Sequence, residues 1–153
     1  MYVRIKYVPA SEIGNLTVEC EEEDFEFVVP ADTGMAIKVV SNAKYFNAVD
    51  FVAQGSNQVI WRFETKPRRG REAPPGTSVY YIENRSAHEH RYKIHAVHQR
   101  KGADRRVSDP WYTTAYKIVA EDASCTMIGY EDKPHKIHYD WNDIQIQLRR
   151  VPQ

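Results

Sequence analysis

The chain is short of cysteine, of net charge and of long apolar runs, and each shortage removes a class of protein. Two cysteines, Cys20 and Cys125, stand far apart, too few for the disulfide framework of a small secreted scaffold. Each is in phase with apolar neighbours, Leu16 and Val18 for one and Met127 for the other. Both therefore read as small core hydrophobes with free thiols. Formal net charge is zero and the sequence pI is about 7.0, which makes nucleic acid an unlikely partner. No apolar run is long enough to cross a bilayer as a helix. Met1 leads straight into the alternating run Tyr2–Val8 rather than into a basic and then apolar leader. The expectation is a cytoplasmic protein with no membrane partner. There is no Gly-x-Ser-x-Gly elbow, no P-loop and no dinucleotide fingerprint. The sequence thus favours a protein that is not an enzyme.

What is present is alternation. Hydrophobic residues make up 42% and charged residues 27% of 153 residues, the balance of one soluble globular domain spanning 1–153. A domain of that size buries roughly 68–70% of its unfolded surface, enough for a core without staples. The stretch 74–99 is the clearest. Val79, Tyr80, Tyr81 and Ile82 suit a pleated surface, and after a polar loop Tyr92, Ile94 and Ala96 alternate with Arg91, Lys93 and His95. The pattern predicts a hairpin. Further alternating runs predict strands at Leu16–Cys20, Phe25–Val29, Met35–Val40, Val49–Ala53, Gln58–Glu64, Trp111–Ala120, Cys125–Tyr130 and Asp143–Arg150. Trp61, between Val59 and Phe63, is expected at the centre of the core.

About ten short strands with turn signals between them and no helical period predict an all-β domain. The expected architecture is a two-sheet antiparallel β-sandwich, an immunoglobulin-like or cupredoxin-like Greek key. A closed β-barrel or a jelly roll is the alternative.

The charges are unevenly placed. Glu19, Glu21, Glu22, Glu23, Asp24 and Glu26 form an acidic run, read as a turn or a solvated edge. Two loops are basic, one carrying Lys66, Arg68, Arg69 and Arg71 and the other Arg100, Lys101, Arg105 and Arg106. Flanking the expected hairpin, they can grip an anionic ligand or an acidic protein face, including the acidic run of another copy. Trp111, beside a turn, joins them as a contact residue. The primary reading is a non-enzymatic binding or self-assembly module that uses these loops, with a protein partner or itself, and no cofactor.

The alternative is a metalloprotein holding a divalent metal. His88 and His90 form an H-x-H pair that extended chain places on one side, and His98, His135 or His138 can supply a third ligand. A cupin also begins with H-x-H but then expects a Glu near where His95 stands. A blue-copper cupredoxin expects a histidine between its cysteine and methionine, whereas Cys125-Thr126-Met127 has none. The runs 59–62, 78–81 and 129–130, with Trp141 and Ile144, are similar at scattered positions to bacterial inclusion-body β-sandwich proteins. Their contiguous Trp-Asp-Pro is missing, so the similarity assigns no function.

Overall fold

A computed structural model describes residues 13–14, 16–18, 20, 24–42, 46–64, 76–99, 110–131 and 143–152. The expected strand Tyr2–Val8 lies outside them. Ten strands follow in order. They are β1 (Phe25–Val29), β2 (Thr33–Ser41), β3 (Phe46–Ala53), β4 (Gln58–Glu64), β5 (Gly76–Asn84), β6 (His90–Gln99), β7 (Tyr112–Thr113), β8 (Ala115–Glu121), β9 (Cys125–Glu131) and β10 (Ile144–Pro152). They form two antiparallel sheets packed as a β-sandwich. Sheet A has the order β1-β6-β3-β4, with β7 also on β6, and sheet B the order β5-β2-β10-β9-β8.

The core between them is what the alternation expects. Phe27, Val29, Ile94, Val49, Phe51 and Phe63 come from sheet A, and Met35, Ile37, Val39, Ile128, Ile146 and Leu148 from sheet B. Trp61 sits at the margin of this core, half-buried, between Phe51 (centroids 5.0 Å apart) and Tyr80 (4.8 Å). A register shift explains one departure from the sequence phase. Phe51 pairs with Trp61 but Val52 pairs with Val59, which leaves Ile60 bulged. The bulge sends Val59 to the outer face of sheet A, where it meets Val52 and Val18.

The expected hairpin over 74–99 is not formed. β5 pairs with β2 in sheet B, whereas β6 pairs with β1 and β3 in sheet A. The loop between them is a corner, and Asn84 builds it. Its fully buried amide shares two N–H bonds among the carbonyls of Val29 (3.1 Å), Pro30 (3.2 Å) and His88 (2.8 Å). Its Oδ1 accepts from the backbone N–H and the hydroxyl of Ser86 (2.9 and 2.8 Å). The loop residues read as a hairpin turn instead carry the chain from one sheet to the other. The expected strand Trp111–Ala120 also changes sheets. β7 lies in sheet A, β8 lies in sheet B, and the Thr114 N–H between them donates to the Ala96 carbonyl at 2.9 Å.

Sheet A is buried on both faces. In β3 only Ala53 is not fully buried. Its outer face carries Asp50, which holds Arg62 bidentately at 2.6 and 2.9 Å, with both side chains sealed from solvent. Next to it in register is His95, whose Nδ1–H donates to Asp24 Oδ2 at 2.9 Å. Asp24 is therefore a buried partner of sheet A and not part of a solvated acidic run, because β1 pairs with β6 and brings it opposite His95. Residues 16–18 form no strand. They cover this face through one bridge, Thr17 to Gln58.

Asn84→Ala leaves the buried Val29 carbonyl, and the part-buried Pro30 and His88 carbonyls and Ser86 N–H, without this partner, and a fully buried group so left costs about 1–3 kcal/mol. The expected loss is about 2–4 kcal/mol in urea unfolding, with Ser86→Ala costing less because only the loop side of the corner is affected. A loss for Asn84→Ala no greater than that of an exposed surface substitution contradicts this account of the corner.

Candidate binding site

The basic residues proposed from the sequence, Lys66, Arg68, Arg69, Arg71, Arg100, Lys101, Arg105 and Arg106, lie outside the described residues, as do His135 and His138. Trp111 is described and is not a contact residue. It is 5% exposed and packs edge-on to Phe46 in a small cluster with Ala48 and Val97. The turn beside it folds the indole inward against the outer face of sheet A.

The described histidines His88, His90 and His98 do not converge. His88 and His90 are exposed at the corner before β6, and His90 Nε2 lies 3.2 Å from the Ser86 hydroxyl. His98 shares their strand face but sits at the far end of β6, eight residues and roughly 27 Å from His90. It is buried, with Nδ1 2.8 Å from Thr114 Oγ1. Among the described residues no three His, Cys, Asp or Glu side chains are grouped to hold a metal.

The Asp24–His95 pair has the look of a carboxylate orienting a base. His95 is fully buried, and among the described residues its Nε2 has no hydrogen-bond partner. The nearby thiol is not activated. Burial first, and then the charge of Asp24, push Cys20 up to about 11, against the pull of Lys93. The pair fastens the chain before β1 onto sheet A.

The open space lies elsewhere. A groove of about 460 Å³ runs between β1 and the β8–β9 turn at one end of the sandwich. Its floor is apolar, with Phe25, Phe27, Met35 and Leu148. Its rim is polar, with Glu26, Glu121, Asp122, Ser124, Thr126 and Arg150. The turn that forms one wall is ordered by Asp122. Oδ1 accepts from the Ser124 N–H (2.8 Å), the Ser124 hydroxyl (3.0 Å) and the Cys125 N–H (2.9 Å). These bonds, the Ser124 N–H foremost, hold the Asp122 carboxyl below its ordinary 3.8. The Thr126 hydroxyl donates to Glu121 Oε2 at 3.1 Å, and the Arg150 N–H donates to the Ser124 carbonyl at 2.9 Å. The opposite wall carries Glu26, 3.8 Å from Arg91.

The groove therefore offers fixed carboxylate acceptors and one guanidinium above an apolar floor. Its size falls in the range of small-ligand sites. Sequence reading missed it, though one signal was present. Arg150 continues the phase of Ile144, Ile146 and Leu148, so a charge stands on the core face just where the core ends.

No protein-family model and no curated protein matches the chain. Solved structures do. The C-terminal domain of the BC2L-C lectin from Burkholderia cenocepacia has a TM-score of 0.52 at 15% identity, over 85% of this chain and 97% of that one. A lectin from Chromobacterium violaceum, solved with alpha-methyl-fucoside, gives 0.50 at 16%, over 84% and 96%. A high-affinity mannose-binding lectin from Ralstonia solanacearum gives 0.49 at 17%, over 88% and 99%. The likeness is one of fold.

The two thiols supply a check on the inert reading of Cys20. Raising a thiol by two pH units lowers its thiolate about 100-fold near neutrality, and higher nucleophilicity recovers about tenfold of that. Alkylation of Cys20 by iodoacetamide at pH 8 is expected to be roughly tenfold slower in the native protein than in denaturant. Equal rates, read by mass spectrometry, contradict the buried setting.

Proposed function

We propose that this protein is a non-enzymatic carbohydrate-binding module and that the groove between β1 and the β8–β9 turn is its site. The observation that carries this reading is the groove's composition, acidic acceptors and one arginine around an apolar floor. A sugar presents hydroxyls around its edge and C–H groups on its face. Carboxylates such as Glu26 and Glu121 accept from hydroxyls, Arg150 donates to ring or hydroxyl oxygens, and Phe25 and Phe27 receive the apolar face. The lectin fold neighbours support the reading in one respect. One of them was solved with a methyl fucoside, so a sandwich of this shape accommodates a monosaccharide. A neutral sugar also suits a chain without net charge.

Asp122 has a different task from the other acids, because its Oδ1 is already engaged within the turn. It fixes the wall, whereas Glu26 and Arg150 have the freedom to meet a ligand.

The test is a panel of monosaccharides and their methyl glycosides, followed by titration calorimetry and by amide NMR shifts. At least one sugar is expected to bind, with shifts concentrated at residues 121–126 and 148–150. Arg150→Ala is expected to weaken that binding roughly 10–100-fold, the range for losing a hydrogen bond to a charged group. A folded protein that binds none of the panel, or a bound sugar whose affinity ignores Arg150→Ala and Glu26→Gln together, overturns the assignment.

A further inference from the structure

Among the described residues the sandwich has four sheet edges, and three of them are protected against pairing with another chain. β4 is covered where Thr17 bridges Gln58 and the Val59 N–H donates to the Leu16 carbonyl at 2.8 Å. β1 is short, five residues, and carries Glu26. β8 is broken by a register shift between Ile118 and Ala120 and carries Lys117. Short strands, charges and bulges are the usual means of blunting an edge.

β5 is long and unbroken and has a single charge. Its nine residues pair with β2 from Thr33 to Ser41 without a shift. It has no proline, lysine or arginine, and its one acid, Glu83, lies near the end. Val79 is 69% exposed and Tyr81 45%, the two most exposed large apolar side chains among the described residues. Tyr81 owes its place to Gly34, because a Cβ there would collide with the Tyr81 ring. Among the described residues only β2 pairs with this strand.

We propose that β5 is the surface through which two copies of this chain join, strand to strand and antiparallel, about a two-fold axis at Tyr80. Three features select a second copy rather than an unrelated strand. In that register Val79 faces Tyr81 of the partner subunit and the reverse, so the two exposed apolar side chains cover each other as an aromatic–β-branched pair. Antiparallel pairing sets Glu83 opposite Thr77 of the partner subunit and keeps the two acids at opposite ends, whereas parallel pairing stacks them. The third feature is a row of rings, Phe51 on Trp61 at 5.0 Å and Trp61 on Tyr80 at 4.8 Å, that runs out of the core and stops at this edge. The axis lets Tyr80 of the partner subunit continue it.

The product is one continuous sheet of ten strands, five from each copy, with β8 at both ends. The groove lies on the β8–β9 side and stays open in each copy, the two sites standing roughly 40 Å apart across nine strand spacings. Such a dimer is bivalent toward any repeated ligand. The dimer itself does not depend on the carbohydrate reading.

Sedimentation velocity of the full chain, without saccharide, from about 1 to about 200 µM is expected to show a monomer–dimer equilibrium. Val79→Lys sets a charge on a largely exposed position of the edge and is expected to weaken dimerisation about tenfold or more. Ile118→Lys on β8 is expected to leave it unchanged. Hydrogen exchange of the native chain gives a second readout that needs no variant, with β5 amides gaining protection as concentration rises and β8 amides not. A monomer throughout the range, a Val79→Lys dimer as tight as the native one, or concentration-dependent protection at β8 instead of β5 overturns the proposal.

Discussion

Asn84 is the point on which the two-sheet arrangement turns. Its amide touches the end of β1, the loop after it and the carbonyl of His88 just before β6, while its own backbone closes β5. One small side chain thus joins an edge of sheet B to two strands of sheet A. A buried amide can do this because it both donates and accepts, and because leaving any of those carbonyls unmet in the interior is expensive. The sandwich can close around its apolar core only if the corners turn without orphaned backbone, and here the corner and the sheet-to-sheet link are the same group of atoms.

The two sheets are used differently as a result. Sheet A is covered twice, inside by the core and outside by Ile13, Leu16, Val18, Cys20 and Trp111, and its outer face carries the buried pairs Asp50–Arg62 and Asp24–His95. Those pairs resemble chemical machinery only by residue type. A buried ion pair contributes little net stability, yet removing one partner leaves an uncompensated charge, so such pairs fix how the covering segment docks. Sheet B is open on its outer side, and its edges and turns face solvent. The two proposed surfaces both lie on sheet B or at the end of the sandwich where β1 meets the β8–β9 turn.

The same physics bears on the choice between binding and catalysis. Catalysis needs a nucleophile or a base with an accessible reacting atom and a matched proton affinity. The groove provides engaged carboxylates, a guanidinium and an apolar floor, while the thiol with the strongest perturbation is pushed away from reactivity. This lining suits directional hydrogen bonding over a hydrophobic surface, as the proposed sugar site requires. With the groove at one edge of sheet B and β5 at the other, the proposed recognition and the proposed self-association fall on opposite sides of one sheet.

The alternation of Phe25-Phe27-Val29, Met35-Ile37-Val39 and Ile144-Ile146-Leu148 determined by itself that the chain folds as strands with one apolar face, and hence as an all-β sandwich with this core. A period of two is local, and burial enforces it. Partner choice is not local. Only the tertiary structure decided that β5 pairs with β2 rather than with β6, since a polar loop such as 85–89 can close a hairpin or turn a corner, and Asn84 settles which by the carbonyls it reaches. The same holds where phase alone misled. Val59 left the core because Ile60 is bulged against β3, Asp24 left the solvent because β1 docks beside His95, and Trp111 was drawn inward by Phe46. The groove belongs to this second class. Glu26, Asp122 and Arg150 are far apart in the chain, each unremarkable beside its neighbours, and they become a site only where two sheets end together.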